Sequence, residues 1–345
     1  MISNIAEDIM VRAAGAGRFS LYFLESLPVI FIRKLFDKSI NTNEGMPEEH
    51  RRLMLDQLKE LLRKDAKNVK DGVYPKDLVY NYNVIEHSKR YLNLLLDSVG
   101  AATRAASKQH KVFDTSLSEE LKELPDYYKR NFHYQTDGYI SEQSAELYTH
   151  QTEILFIGTL ALMRRILVAE TIKKIGNQKL RILEVGCGTG ELTEVLLKSC
   201  PNIEIVAIDL SKAYLKKAQE RNLEFPNVQF KAVGGESDLT EFGEFDLAVS
   251  GYMFHELPKG IRLEIMKNVN KSLKSDGYFQ VIDSLQLEDM PEMDWALKQF
   301  PVNFHEPFFA NYVQNPLDDM FKDAGFTRTK ETVCFMSKSS IGYKS

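Results

Sequence analysis

The feature that most constrains this chain is Leu180-Arg-Ile-Leu-Glu-Val-Gly-Cys-Gly-Thr-Gly190, with Asp209 after the next apolar run. An apolar run ends at Val185, five residues with three glycines make a turn, and Glu191–Lys198 then shows helical spacing. A strand, a glycine turn and a helix start make a unit in which a ligand approaches backbone that a Cβ would block. Four more short apolar, β-branched runs follow, at Ile203–Ile208, Val228–Val233, Phe245–Val249 and Tyr278–Ile282. Helical patterns fall between them, as at Ser211–Arg221 and Lys259–Leu273. Such runs suit parallel strands buried on both faces, and the regular alternation predicts a doubly wound α/β sheet. Ser275-Asp276-Gly277 reads as a turn, Pro316–Ala324 as a helix, and Thr327–Val333 with Cys334–Ser339 as a last strand pair.

The residues before this region are helical in pattern. Pro28 interrupts an apolar and aromatic stretch, which predicts two short helices or a kink packed on a core. Helices are expected at 47–68 and 88–107, the second with Tyr91, Leu92, Leu95, Leu96 and Val99 inward. Tyr148–Ile175 reads as one long helix closed by Gly176. The polar-aromatic connector between them offers His133, Tyr134 and Tyr139 as pocket lining. We expect an all-helical domain over 1–135 and an α/β domain over 136–345, the latter with an insert at 284–314 long enough to act as a lid.

Composition narrows the partners. A net charge of −5 argues against non-specific nucleic-acid binding. No apolar run reaches the ~18 residues of a membrane span, so no stable membrane insertion is expected. Three cysteines (Cys187, Cys200 and Cys334) form neither a disulfide framework nor a metal motif. With no signal-peptide pattern at the start, the expected compartment is the cytoplasm.

Two ligand classes compete for the turn. A dinucleotide places its pyrophosphate on the helix N-terminus. Here Glu191 opens the helix and Glu184 lies in the strand, two negative charges that oppose a phosphate. S-adenosylmethionine carries an ammonium and a sulfonium and no phosphate. Asp209, at the end of the second strand, suits two ribose hydroxyls. The acidic turn favours S-adenosylmethionine.

The motif Glu184-Val-Gly-Cys-Gly-Thr-Gly190 resembles motif I of class I S-adenosylmethionine-dependent methyltransferases. Asp209-Leu210-Ser211 resembles their acidic ribose position, Phe245–Ser250 their fourth strand and Leu273–Asp283 their approach to the fifth. The likeness covers about 180–285 and is similar to the ubiquinone/menaquinone-biosynthesis group. It implies a Rossmann-like seven-stranded sheet whose last strand is antiparallel. It also implies that Gly186, Gly188 and Gly190 approach the cofactor's amino-acid part, with Cys187, Leu210 and Ser250 nearby. One position departs. Many relatives carry Gly-Asp-Ala after the third strand, where this chain has Val233-Gly-Gly-Glu-Ser237. Gly235 stands at the acid's place, leaving Glu236 or backbone groups to hold the adenine.

Methyl transfer is an in-line displacement that needs a base only where the acceptor loses a proton. His255 is the first candidate, just past the fourth strand, with Tyr252 nearby and Asp283 at the end of the fifth. His305 and Glu306 in the insert are the second. His133, His255, His305, Asp283 and Glu306 lack ligand spacing, so no metal is expected. No Gly-x-Ser-x-Gly elbow suggests a hydrolase. The expected activity is methylation of a small, partly apolar acceptor (quinone-like, phenolic or lipid-like) on oxygen, carbon or nitrogen, covered by the helical domain and the insert. A homodimer through the helical region is expected. The rival readings are a non-catalytic cofactor-binding regulator and an aminopropyl transferase.

Overall fold

The computed structural model describes residues 2–36, 47–80 and 83–345. The elements in chain order begin with helices α1 (Ile2–Phe36), α2 (Glu48–Lys70), α3 (Asp77–Tyr80), α4 (Val84–Ser107), α5 (Ser118–Glu123), α6 (Glu142–Leu155) and α7 (Leu160–Ile175). Then follow β1 (Arg181–Val185), α8 (Glu191–Ser199), β2 (Glu204–Asp209), α9 (Lys212–Arg221), β3 (Val228–Ala232), β4 (Phe245–Gly251), α10 (Lys259–Ser272) and β5 (Leu273–Ser284). The chain closes with α11 (Asp294–Asn303), α12 (Phe309–Val313), α13 (Leu317–Asp323), β6 (Arg328–Cys334) and β7 (Ser337–Tyr343). It divides into two compact units: Met1–Met163 with Gln299–Glu306, and Arg164–Lys298 with Pro307–Ser345.

The second unit holds one seven-stranded sheet in the order β3-β2-β1-β4-β5-β7-β6. β1 pairs in parallel with both β2 and β4, and β7 is antiparallel to β5 and β6. The seven-stranded expectation holds, including the reversed last strand. Ile182, Leu183, Leu247, Ala248 and Val249 are at most 1% exposed, as strands covered on both faces require. Chain order reverses between β1 and β4, so the crevice beyond their carboxyl ends is the switch point where ligands of such sheets bind.

The Ser275–Gly277 turn lies inside β5. The β4–β5 register jumps from Phe245↔Leu273 to Leu247↔Tyr278, and Asp276 takes φ 63° in the resulting bulge. A Cβ on Gly277 would stand 2.9 Å from Lys274 O and 3.0 Å from Asp246 O, so this bulge requires glycine.

The helical unit differs from the sequence pattern at several points. Two short helices meeting at Pro28 are excluded, because a single helix, α1, runs through it. The expected helix Tyr148–Ile175 is two helices. Ile157 and Gly158 take φ 50° and 74° between them, and a Cβ on Gly158 would meet Arg18 O at 2.9 Å. Glu153 caps the second helix by accepting the Ala161 N–H at 3.0 Å. The buried face of α4 is His87, Leu94, Ser98, Ala102 and Ala105. Leu92, Leu96 and Val99 are exposed, and Leu94 joins Tyr22, Leu147 and Ile154 in a core cluster. Apolar residues recur so densely on α4 that their spacing fits more than one face. Asn83, which accepts from the Ile85 and Glu86 amides, starts the helix a turn earlier than expected. No helix among the described residues is long and apolar enough to cross a membrane.

This inward face is checked by denaturation. Leu94→Ala is expected to destabilise the chain by roughly 2–5 kcal/mol, and Leu92→Lys to change stability by less than about 0.5 kcal/mol. The reverse order would reject the assignment.

Candidate cofactor and acceptor site

β1, β2, β4 and β5 end on one side of the sheet, and their carboxyl ends carry the candidate residues of the α/β unit. Gly186, Gly188 and Gly190 have φ of 68°, 56° and 81°, a region that only glycine enters freely. Their surroundings differ. A Cβ on Gly186 would strike Met253 Sδ at 2.2 Å, and one on Gly190 would meet Asn222 Nδ2 at 2.6 Å and Ala218 Cα at 3.0 Å. Packing against the Ala218 backbone requires Gly190, while Gly186 faces only the flexible Met253 side chain and is required by its positive φ. Beside Gly188 no described atom lies within 4 Å of the Cβ position. Gly188 is therefore the turn residue open to a ligand.

The turn is tied to β2. The Gly186 and Cys187 N–H groups donate to Ile208 O at 2.9 and 3.0 Å. Asp209 Oδ2 accepts the Gly188 N–H at 2.9 Å and Oδ1 the Ser211 N–H at 2.9 Å. Crowding by protein pushes the Asp209 carboxyl above its ordinary value, against the pull of these amides. Each oxygen keeps a lone pair for a further donor. Leu210 follows at the start of the β2–α9 turn, and Ser211 caps α9 by accepting the Tyr214 N–H at 3.1 Å.

The acidic groups play unequal parts. Glu184 is buried and accepts the Thr193 hydroxyl at 2.6 Å. Burial pushes its carboxyl up to about 8. Glu191 is matched by a cation: Arg221 Nη2 lies 3.0 Å from Glu191 Oε1, and Arg221 Nε donates to Thr189 O at 2.8 Å. The charge expected to oppose a phosphate is thus compensated at Glu191. The acidic character of the turn rests on Glu184 and Asp209. Cys187 is a buried thiol pushed far up by burial. Ser250, at the end of β4, is fully buried, and its Oγ has no hydrogen-bond partner among the described residues.

The departure after β3 has a steric cause. A Cβ on Gly235 would lie 2.7 Å from Val185 Cγ1 and 3.1 Å from Ile265 Cγ1, so this backbone has no room for an acid there. The Glu236 carboxylate folds over Gly234, with Oε2 2.5 Å from where a Cβ would be. Asn268 Nδ2 holds the Glu236 carbonyl at 2.9 Å.

Past β4 the backbone turns at Tyr252, with φ 56°, and its N–H donates to Ile282 O at 2.7 Å. The Tyr252 hydroxyl, pushed up by burial, donates to Ser337 Oγ at 3.0 Å, so this side chain is occupied structurally. His255 is 8% exposed and Asp283 wholly buried. His255 Nδ1 stands 2.5 Å from Asp283 Oδ1, and the His255 backbone N–H donates to Oδ2 at 3.2 Å. An Nδ1–H held by a carboxylate leaves Nε2 as the basic atom. Glu256 Oε1 is 3.7 Å from that nitrogen, and the Phe309 and Tyr312 rings stand edge-on at 6.0 and 6.2 Å. Sequence reasoning named both His255 and Asp283 but did not pair them, because 28 residues separate them.

The remaining candidates belong to the helical unit. His133 and Tyr134 take φ of 53° and 58°. Asn131, fully buried, holds this strained loop by bonding Val112 N, Val112 O and Gln135 O at 2.7–3.0 Å. His133 Nδ1 lies 3.1 Å from Glu306 Oε1. His305 stacks on His110 at 4.4 Å, and burial pushes it down to about 4. His133 and Tyr134 line a cavity of about 260 Å³ with Val29, Ile30, Leu94 and Ala102. Tyr139 does not line it. Its ring stacks on Phe132 at 5.2 Å within the core.

Residues 183–279 match the family model described as a methyltransferase domain. Malonyl-[acyl-carrier protein] O-methyltransferase of Halalkalibacterium halodurans is 29% identical over 169 residues, 43% of this chain and 62% of that protein. The protein of the same name from Paenibacillus sp. is 36% identical over 111 residues, 28% of this chain and 38% of that one. The chain thus spans less than two thirds of the length of these curated relatives. Among solved structures, the CurJ carbon methyltransferase aligns over 99% of each chain at 14% identity and a TM-score of 0.49. With the sheet order, the domain match makes the 183–279 stretch a class I S-adenosylmethionine-dependent methyltransferase domain. The residues present fit that cofactor: an open flank at Gly188, a carboxylate with spare lone pairs at Asp209 and an unpartnered buried hydroxyl at Ser250.

The steric account of the departure is tested by restoring the acid. Gly235→Asp should destabilise the chain by roughly 1–3 kcal/mol through overpacking against Val185, read as a lowered thermal midpoint. A stabilised protein with tighter S-adenosylmethionine binding would overturn it.

Proposed function

We propose that this chain is a methyltransferase whose acceptor loses a proton at the reacting atom. The observation that carries the reading is the His255–Asp283 pair at the carboxyl ends of β4 and β5, next to the β1 strand that feeds the glycine turn. Bound S-adenosylmethionine supplies a methyl carbon already activated by its sulfonium. Asp209 accepts from ribose hydroxyls with the lone pairs its amide bonds leave over. Glu184 supplies negative charge beneath the turn for an ammonium. Ser250 and the Glu236 segment hold the remainder.

At the acceptor, His255 Nε2 takes the proton while the buried Asp283 fixes the tautomer and stabilises the imidazolium. The curated relatives are named for O-methylation of a malonyl group on a carrier protein. A carboxylate is ionised at neutral pH and needs no base. The dyad therefore favours a hydroxyl, an N–H or an acidic C–H acceptor. The Phe309 and Tyr312 edges beside His255 favour a small, partly apolar molecule. The exposed Phe23, Leu24, Leu27, Phe31 and Leu35 on α1 support self-association through the helical unit, and three buried free thiols support a reducing cytoplasm.

Transfer of label from methyl-labelled S-adenosylmethionine to small molecules of a cell extract is the direct test. His255→Ala should lower turnover ~10²–10⁴-fold while calorimetric affinity for the cofactor stays within a few-fold. Tight binding with no transfer in the wild type would instead indicate a regulator.

Glu184 gives the site a pH dependence. With its carboxyl held up at about 8, the ligand-free group is mostly protonated at pH 7. A cation beside it favours the ionised form, so binding releases a proton and tightens as pH rises from 6 to 7.5. Calorimetry in buffers of different ionisation heat should detect this proton, and Glu184→Gln should abolish that part of the slope. A wild-type slope preserved in the variant would exclude Glu184 as its source.

A further inference from the structure

Three helices of the N-terminal unit bring one carboxylate and two imidazoles together. Glu25 lies on α1, His87 on α4 and His150 on α6. His87 Nε2 is 2.7 Å from Glu25 Oε1, and His150 Nε2 is 3.1 Å from Glu25 Oε2. All three residues are at most 9% exposed. The two imidazole centroids are 4.6 Å apart, and the Tyr22 ring packs against them at 5.4 and 5.2 Å. The residues lie 62 and 125 positions from Glu25, so no local spacing announces them.

From this geometry we infer that Glu25, His87 and His150 form a structural site for a divalent transition metal, with zinc the best match. Taken one per residue, the ligand atoms lie within 4.8 Å of one another. Both carboxylate oxygens face a ring nitrogen, so a chelating Glu25 and two imidazoles supply four donors. Two nitrogens and two oxygens suit zinc, and a closed four-donor set suits a structural rather than a catalytic ion. Zinc bonds of about 2.0–2.2 Å at tetrahedral angles place neighbouring donors about 3.3–3.6 Å apart, so small side-chain shifts from the 2.7 and 3.1 Å seen here bring the donors around an ion.

The surroundings point the same way. Glu25 and both histidines are buried, and the Tyr22 ring packed against the imidazoles belongs to an apolar cluster with Leu94, Leu147 and Ile154. A dication coordinated by all three groups links α1, α4 and α6. The expectation of no metal rested on spacing, which does not report on ligands drawn from separate helices.

The test uses the full chain, stripped with a chelator and then titrated with Zn²⁺ and, separately, Co²⁺. The expected results are one tightly bound metal per chain by elemental analysis, a thermal midpoint that falls on chelation and returns with Zn²⁺, and a tetrahedral ligand-field spectrum with Co²⁺. His150→Gln and Glu25→Gln should each weaken zinc binding by at least ~10-fold, in line with loss of a metal-site group. The Co²⁺ spectrum needs no variant, so it stands if these substitutions prevent folding. A wild-type chain with no such spectrum and a midpoint indifferent to chelation would overturn the inference. So would variants that bind zinc as the wild type does.

Discussion

The carboxylate of Asp209 is the joint on which the α/β unit depends. It takes the Gly188 amide with one oxygen and the Ser211 amide with the other, and so fixes the glycine turn after β1 and the turn after β2 to each other. The Ile208 carbonyl reinforces the joint by accepting two amides from the same turn. Charge-assisted bonds to backbone amides are among the stronger ones available to a protein. They set the φ values of a turn whose glycines would otherwise sample many conformations. The same carboxylate retains lone pairs for a ligand. Order in the turn and the proposed recognition of the cofactor's ribose are two uses of one group.

Electrostatics then separates the roles of three acids that look alike in sequence. Glu191 is absorbed by Arg221. Asp209 is shared among amides. Glu184 is pushed up to about 8 by burial, with Thr193 as its hydroxyl partner. The turn is therefore not a fixed pool of negative charge. On the proposed reading it gains charge when a cation binds, which favours an ammonium over a neutral or anionic group. At the neighbouring strand ends, His255 and Asp283 make a second pair, with the ring Nδ1 facing the carboxylate at 2.5 Å.

Much of this was legible in the residues. The Leu180–Gly190 stretch, the strand runs and Asp209 are local patterns, and local patterns survive in a linear reading. Failures came where the outcome depends on distant groups. The pairing of Glu191 with Arg221 spans 30 residues. The break at Ile157–Gly158 depends on backbone packed against Arg18, far upstream. The face of α4 that turns inward is chosen by Tyr22, Leu147 and Ile154 on other helices, since α4 is apolar on several sides. The segment Gln299–Glu306 belongs to the helical unit although the sequence around it belongs to the other. Glu25, His87 and His150 are the extreme case, because nothing near any of them marks it as one of a set.

On the proposed reading, the open glycine turn and its acids select a cationic, phosphate-free cofactor. Titration calorimetry of the unmodified chain with S-adenosylmethionine and with NAD⁺, under one set of conditions, tests it most directly. Saturable binding of S-adenosylmethionine, loss of that binding in Asp209→Ala, and no measurable heat with NAD⁺ are expected. Equal or tighter binding of NAD⁺, or S-adenosylmethionine affinity unchanged in Asp209→Ala, would contradict it.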